Sequence, residues 1–518
     1  MVFEVVKSCQ PQRPSGEVPM HKNKVLLMQP NYAWKSQRTW RYPPYTLCLL
    51  KSSLGNHCNV SVFDPNFNNL SEEEVREVLI SLQPDVVGVT SISTEYLAIT
   101  RLLCDIIRKT LPHTTIILGG VIPTVLIEES MQDRNVNYWI RGEGELSLLS
   151  LLEHFEKKVP VLEDVNGLCY WKNGKAVINR VRFIQDLDSI PFPDYSEIIC
   201  GADLQKATLM DYAYIKMKYT TTLLPKNYPF AVTITSRGCP YKCIFCAGST
   251  VSGEKTRYRS SENVLAEIDN LYKQGIKEII FLDDHFLNDK KRVVKILNTI
   301  IERKYDISWK CVNVTVWFLN RELLELMYKS GCTYLAFSIE SGNQYVLDNI
   351  IKKPVDLVKV PEIIKIAKEI GFNVVTNFVI GFPGETWDQI RDTFRYAEKL
   401  KVDLVNFHIA TPLPKTELME ICLKENLIPE EYLRDFSAHS GYGKGLITTK
   451  EFTPFELEVL RSFEWDRINF ADEGRRKAIM QLNGITEDEL ETWRVNTRRN
   501  LGVNRLIENI ITPEKVIH

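Results

Sequence analysis

Several things are scarce in this chain of 518 residues, and each scarcity removes a class of function. It has no stretch of about 18 uninterrupted apolar residues, the least a membrane-crossing helix needs, so no transmembrane span is expected. It has no long basic block and its formal net charge is −2. That weighs against nucleic acid as a partner, because phosphate binding is built from clustered Lys and Arg. Met1 to Met20 is mixed, with Pro11, Pro14 and Gly16 inside it. It lacks the charged start and apolar core of a signal peptide, so a cytoplasmic protein is expected. Internal repeats and low-complexity tracts are missing. Nine of the 12 cysteines (Cys9, Cys48, Cys58, Cys104, Cys169, Cys200, Cys311, Cys332, Cys422) are scattered singly, which suits buried free thiols in a reducing compartment better than a disulfide framework. Charged residues at 25% and hydrophobic residues at 44% are ordinary globular values, and the length predicts about three domains.

The remaining cysteines break this pattern. Cys239, Cys243 and Cys246 form a Cys-x3-Cys-x2-Cys array within Ser236-Arg-Gly-Cys-Pro-Tyr-Lys-Cys-Ile-Phe-Cys-Ala-Gly248. The run before it, Phe230 to Thr235, reads as a short buried strand, so the thiols sit on the loop leaving a strand's C-terminal end. Three thiolates this close can hold three irons of a [4Fe-4S] cluster and leave the fourth iron open to a ligand. A zinc site or a disulfide pair is the plainer alternative, but zinc usually takes four ligands and no histidine flanks the loop.

The array and its surroundings resemble the radical SAM superfamily, in which the open iron chelates S-adenosyl-L-methionine (SAM). The resemblance spans Tyr228 to Leu418, and the βα repeats that follow the loop fit the partial (β/α)6 barrel it implies, with the site at the strand C-termini. Six strands are expected, beginning at Phe230, Glu278, Trp309, Tyr334, Val374 and Leu404. The resemblance implies cluster ligation by the three cysteines. For SAM it implies Phe245 near the adenine, Asp283 and Asp284 near the amino group, Ser338 and Glu340 near the ribose, and Asn377, Gly381 and Pro412 on later strand ends. Asp283 and Asp284 could equally belong to a helix N-cap, and Glu385 to a first helical turn favoured by the dipole. Arg257 and Arg259 are placed where they could meet the SAM carboxylate, although solvated arginines are the commoner case.

From Lys24 to Phe155 five apolar strands alternate with helices, which predicts a parallel sheet of the flavodoxin-like, doubly wound kind with ligand at its C-terminal edge. The loops on that edge carry Asn31, then Ser91, Ser93 and Thr94, then Gly119, Gly120, Pro123 and Thr124, and finally Gly142-Glu143-Gly144-Glu145. Glycines let backbone approach a large ligand, though each pair alone reads as a helix-entry turn. Four such loops ahead of a radical SAM motif resemble the cobalamin-binding domain of cobalamin-dependent (class B) radical SAM enzymes. The resemblance makes Asn31, Ser91, Ser93, Thr94, Gly119, Gly120, Pro123, Gly142 and Glu143 the expected cobalamin contacts. The Asp-x-His-x-x-Gly loop of many cobalamin proteins is missing, and His57, His113 and His154 lack that context. Cobalamin with no protein histidine ligand is therefore expected, its lower face shielded by the loop from Asn31 to Pro44.

The expected fold is thus α/β, divided into an N-terminal extension (1–23), a cobalamin-binding domain (24–160), a linker and insertion (161–228), a radical SAM domain (229–418) and a helical C-terminal domain (419–518). Pro191 and Pro193 make Phe183 to Asp194 an extended connector, and residues 195–228 are either a lid or a surface wrap. The tail carries capping boxes at Thr453/Glu456 and Thr486/Glu489 and is expected to close the barrel mouth. Tyr442 lies on a connector ahead of the first box. Together these resemblances imply a methyltransferase that moves a methyl group from methylcobalamin to an unactivated carbon or phosphorus of a small molecule through a 5′-deoxyadenosyl radical. An electron donor such as flavodoxin or ferredoxin is implied as well. The alternatives are a cyclase or rearrangement enzyme like the anaerobic tetrapyrrole cyclases, or a non-catalytic cobalamin or iron–sulfur sensor. A tRNA methylthiotransferase is disfavoured, because the first domain lacks a second cysteine triad.

Overall fold

The structure, a computed structural model, describes residues 23–35, 42–55, 57–215, 225–434, 436 and 443–499. Five strands, β1 (Lys24–Met28), β2 (Asn59–Phe63), β3 (Val86–Ser91), β4 (Thr115–Gly120) and β5 (Tyr138–Ile140), form a parallel sheet in the spatial order β5-β4-β3-β1-β2. This is the flavodoxin-like order that the sequence predicts. Strand order reverses between β1 and β3, so the loops after them splay apart and leave a crevice. Helices Tyr45–Leu54, Glu72–Leu82, Leu97–Thr110 and Glu145–Lys157 cover both faces, which is why β3 can be a continuous apolar run. Helix Glu72–Leu82 opens at a capping box in which Ser71 and Glu74 bond each other's backbone N–H.

Four short strands lengthen this sheet to nine. The hairpin β6 (Leu168–Lys172) and β7 (Lys175–Ile178) adds antiparallel to β5, and β8 (Ile198–Ile199) with β9 (Lys206–Ala207) extends β2. They cover the two edges of the parallel core. The stretch after 195 is therefore a wrap over its described length, to residue 215. The Tyr212 ring is fully buried, and its hydroxyl donates to Asp64 Oδ2 at 2.8 Å.

The second half is an open barrel of two parallel three-stranded sheets, β10 (Phe230–Thr233), β13 (Glu278–Phe281) and β14 (Ser308–Cys311), then β15 (Tyr334–Glu340), β16 (Asn373–Ile380) and β17 (Leu404–Ile409). Isolated bridges Trp309↔Cys332 and Val314↔Phe337 join the halves. Between β10 and β13 the chain makes a small antiparallel ribbon, β11 (Ser236–Arg237) and β12 (Arg257–Tyr258).

Both expected capping boxes are present, at Thr453/Glu456 and Thr486/Glu489; Tyr442 lies outside the described residues. Helix Pro454–Phe470 runs along the outer edge strand β17, and its Leu457 reaches the Gly381 turn that follows β16. The Asn469 side chain accepts from Val405 N–H at 2.9 Å and donates to Val405 O at 2.9 Å, and Arg461 Nη1 donates to Phe407 O at 3.3 Å. Side chains thus satisfy the free backbone of an edge strand, as a further strand would.

Candidate active site

Cys239, Cys243 and Cys246 lie on the loop that the β11/β12 ribbon closes at its base. Gly238 begins it at φ +92°, and a Cβ there would stand 2.5 Å from Lys255 O, so no other residue fits. Cys239 N–H bonds Gly253 O at 3.1 Å and Ile244 N–H bonds Ile351 O at 3.1 Å, which pins the loop to the barrel. Burial pushes all three thiols up, Cys243 to about 12; neighbouring cysteines raise Cys239 and Cys243 further, Asp284 and Glu340 raise Cys246, and Lys353 offsets part of each. Three such thiols ionise together only beside strong positive charge, which iron supplies. Three thiols on one loop match three irons of a cluster, whereas a zinc ion usually takes four ligands. The triad fits a [4Fe-4S] cluster.

The lumen of the barrel presents a polar row. Ser338, Asn377 and Asn406 share one register across β15, β16 and β17, all three partly exposed, and Asn406 Nδ2 donates to Asn377 Oδ1 at 3.0 Å. Register identifies Asn406; sequence reading passed over it because β17 shows no motif there. One step further out stands Glu340, at φ +73° where β15 bulges. A non-glycine residue in the left-handed region is uncommon and carries some backbone strain. Its carboxylate accepts from Lys353 Nζ at 2.6 Å, both side chains about nine-tenths buried. Lys353 is delivered by the π-helix Val346–Ile351, whose wider turn leads the chain back toward the cluster.

The remaining SAM candidates divide. Phe245 packs its ring 5.8 Å from that of Phe382, beside the Gly381 turn. Gly381 has φ +88° and a Cβ there would meet Leu457 Cδ1 at 2.5 Å. Glu385 is fully buried and lies before the following helix, and its Oε2 accepts from Gly381 N–H at 2.7 Å and Phe382 N–H at 3.1 Å. It braces the glycine turn and plays no dipole role; burial raises its carboxyl to about 7 despite those bonds. Asp283 is tied inside, accepting from Thr235 N–H, Thr235 Oγ1 and Ser236 Oγ at 2.6–3.1 Å, so its carboxylate braces the cluster strand. Asp284 accepts from Gly238 N–H at 3.2 Å and faces the cleft described below. Pro412 is buried and its carbonyl accepts from the Tyr432 hydroxyl at 3.0 Å. Arg259 is spent on Glu267 at 2.6 Å.

His285 completes the Asp-Asp-His turn. It is buried, stacks on Tyr241 of the cluster loop with centroids 5.4 Å apart, and meets the edge of Phe318. Burial lowers it to about 4, so the ring is neutral, and neither ring nitrogen has a partner.

A cleft with a volume of about 250 Å³ runs from the domain boundary down between the first sheet and helices Tyr45–Leu54 and Glu145–Lys157. Its walls include Gly119, Gly120, Gly142 and Glu143 from the expected set, together with Ser236, Arg237 and Asp284 from the barrel side. A Cβ on Gly119 would meet nothing within 4 Å, so the open space begins at its backbone. Deeper in, Gly88 lies mid-strand between Leu27 and Ile117, and a Cβ there would stand 2.8 Å from Leu27 Cδ2. A glycine inside a strand marks a close approach, a signal available in Val86-Val-Gly-Val89 and not used. A wide apolar cleft with a glycine floor and a deep arm fits cobalamin, a flat macrocycle with a long tail.

Five residues expected here do not reach the cleft walls. The Asn31 amide donates to Asn69 Oδ1 and Leu70 O, and its oxygen accepts from Ala33 N–H. Ser91 Oγ accepts from Ile122 N–H at 3.0 Å, and Ser93 Oγ from Glu95 N–H at 3.4 Å. Thr94 and Pro123 are buried. These side chains shape the loops and do not line the space. Residues 36–41 of the Asn31 to Pro44 loop that would shield the lower face lie outside the described residues. His57 and His113 precede β2 and β4 at the opposite sheet edge, and His154 Nδ1 lies 2.8 Å from Pro160 O; among the described residues no histidine lines the cleft.

Glu143 lines the wall, yet its carboxylate is spent. Arg257 Nη1 bonds both its oxygens at 2.8 and 3.0 Å, Arg237 approaches at 3.1 Å, and Ile184 N–H donates at 2.6 Å. Arg257 is correspondingly an interdomain clamp and no SAM ligand.

Comparison with known proteins agrees with this geometry. The model of the Radical SAM superfamily matches residues 233–397, and that of the B12 binding domain matches residues 39–152. An uncharacterised methyltransferase of Pyrococcus horikoshii, PH0819, is 33% identical over 390 residues, 74% of this chain and 80% of that one. The cytidylyl-2-hydroxyethylphosphonate methyltransferase of Streptomyces wedmorensis is 27% identical over 70% of this chain and 71% of its own length. Among solved structures, the radical SAM methyltransferase TsrM of Kitasatospora setae, bound to tryptophan and a SAM analogue, superposes with a TM-score of 0.65 at 18% identity, covering 87% of this chain and 84% of that one. The chain belongs to the radical SAM superfamily, among its cobalamin-dependent methyltransferases.

Proposed function

We propose that this chain methylates an unactivated carbon, or a phosphorus, of a small molecule held where the barrel lumen meets the interdomain cleft. The observation that carries the reading is the shared wall. Gly120 and Gly142 of the first domain face the same space as Ser236, Arg237 and Asp284 beside the cluster loop. When bound, the cluster with SAM supplies a 5′-deoxyadenosyl radical that takes a hydrogen atom, and cobalamin supplies the methyl group.

The chain's own work is binding, orientation and exclusion of water. Cys239, Cys243 and Cys246 hold the cluster. Glu340 bonds ribose hydroxyls, which a carboxylate accepts in pairs, while Lys353, already beside it, neutralises the SAM carboxylate. Ser338 and Asn377 line the nucleoside side. Phe245 and the Gly381 turn, held in shape by Glu385, receive the adenine. Asp284 stands at the boundary, within reach of the SAM amino group. Gly119, Gly120 and Gly142 admit the corrin, with no histidine from the protein on cobalt.

The domain limits given above, a flavodoxin- or ferredoxin-like electron donor, a cytoplasmic location and the absence of a nucleic-acid partner belong to the same proposal. The test is anaerobic reconstitution with iron, sulfide and hydroxocobalamin, then incubation with SAM, reductant and candidate small molecules. S-adenosylhomocysteine and 5′-deoxyadenosine formed together, with a mass gain of one methyl group on the acceptor, support the reading. Deoxyadenosine with an unmethylated, cyclised or rearranged product overturns it in favour of the cyclase class, and no deoxyadenosine at all favours a sensor.

A further inference from the structure

We infer that a buried quartet of charges, Glu143 and Glu145 facing Arg237 and Arg257, fixes the cobalamin-side loop over the cluster loop, so that Glu143 and Arg257 are positioning residues for methyl transfer. The inference rests on the methyl-transfer reading above. Arg237 and Arg257 are direct cross-strand partners in the β11/β12 ribbon. Like charges placed opposite one another destabilise a ribbon, and here the side chains are only 16% and 7% exposed, so water does little to separate them.

What makes the pairing tolerable comes from the other domain. Glu143 bonds both arginines, and Glu145 Oε1 accepts from Arg237 Nη2 at 2.6 Å. Two cations meet two anions, all nearly buried. Arg257 also donates to Ile184 O and Ser252 O, each at 2.6 Å, which draws the interdomain connector and the far side of the cluster loop into the same knot.

The two bodies tied here are the ones whose separation matters. Residues 142–145 form the cleft wall, and the ribbon carries all three cysteines between its strands. Radical formation uses the cluster side alone. Methyl transfer also needs groups from both sides at near-contact distance, where an error of about 1 Å is costly. Loosening the knot therefore uncouples the two events.

The test uses the full chain reconstituted with the cluster and hydroxocobalamin, as Arg257→Lys, Arg257→Met and the charge-balanced double variant Arg257→Met/Glu143→Gln. Two measurements are made without acceptor. One is the separation between the reduced cluster and cob(II)alamin by pulsed dipolar EPR. The other is the yield of 5′-deoxyadenosine and of S-adenosylhomocysteine from SAM under added reductant. In the first product one electron from the reductant cleaves the C5′–S bond and releases methionine, and the 5′ carbon takes its hydrogen atom from a thiol included in the assay. In the second the methyl leaves with its bonding pair staying on sulfur, and the pair for the new bond comes from cobalt reduced by the same reagent.

The expected result for Arg257→Met is a shifted or broadened separation and about a tenfold loss of S-adenosylhomocysteine, with deoxyadenosine within about threefold of wild type. Arg257→Lys should restore part of the loss. An unchanged separation, or equal loss of both products, overturns the inference. Should the single variant fail to retain cofactors, the double variant is judged by the same outcomes. A wild type that holds both cofactors yet gives no S-adenosylhomocysteine refutes the methyl-transfer reading instead, and the EPR separation alone then decides the role of the quartet.

Discussion

Lys353 Nζ lies 2.6 Å from Glu340 Oε1, and the carboxylate it meets belongs to a residue held at φ +73° on a bulge at the end of β15. Each makes the other tolerable in a nearly dry site. Glu340→Gln keeps the shape and removes the charge. It should weaken SAM binding by about tenfold or more, the scale of a charge-assisted bond, while the protein stays folded. Lys353→Met leaves a buried anion alone, which costs about 3–5 kcal/mol, and should lower the melting temperature as well as SAM affinity. Glu340→Gln strands Lys353 in the same way and should lower the melting temperature too; equilibrium binding of SAM and thermal melts check this, and melts of both variants equal to wild type would remove the pairing from the account.

Cys243→Ala should abolish the brown absorbance of the reconstituted protein and all deoxyadenosine formation, while hydroxocobalamin uptake is retained. The two sites share a wall, but among the described residues no cysteine lines the cleft. Iron analysis and gel-filtered cobalamin stoichiometry read the two outcomes separately.

Gly119 and Gly120 are neighbours with opposite environments. Gly119→Leu projects into the empty cleft, since a Cβ there meets nothing within 4 Å. It should fold normally and lose cobalamin. Gly120→Ala puts a Cβ 2.3 Å from Ser91 O at φ +87°, and should destabilise the domain by about 1–3 kcal/mol, the usual cost of an enforced strained backbone. Melting curves and cobalamin titration separate the two effects.

Two buried groups set the pH limits of stability from opposite sides. Burial raises Glu385 to about 7 from 4.5. Its contribution is present below the unfolded value and is lost as pH rises from about 4.5 through 7, a change on the order of 3 kcal/mol. Burial lowers His285 to about 4 from 6.5. Its contribution is present above 6.5 and is lost as pH falls toward 4 by a similar order. Glu385→Gln should therefore flatten the neutral side of the stability profile, and His285→Phe the acid side. Melts between pH 4.5 and 8 test both; parallel profiles for wild type and variants would contradict the assignment.

Much of the architecture was legible because it rests on periodicity and punctuation. Val86 to Val89 and Thr115 to Leu118 announce buried strands, and Gly-Gly and Gly-Glu-Gly-Glu announce the loops after them. The cysteine spacing is local and survives any tertiary context. What stayed hidden depends on distance in sequence. Glu143 looked like a ligand until Arg257, 114 residues on, was seen to occupy it, and Asp283 looked free until Thr235 and Ser236 closed on it. Asn406 has no motif at all, and its place is fixed only by its register with Asn377. Two-residue strands such as Ile198–Ile199 are too short to show a period, so the sheet edges were missed.

The eight described cysteines away from the loop are all buried, and burial raises seven of their thiols above the ordinary range. Such thiols are poor nucleophiles and poor targets for peroxide. Among the described residues, air should accordingly act on the three cysteines of the cluster loop and spare the scaffold around them. Material handled aerobically, bleached and inactive, remains a sound shell that thiol reductant, ferrous iron and sulfide can refill.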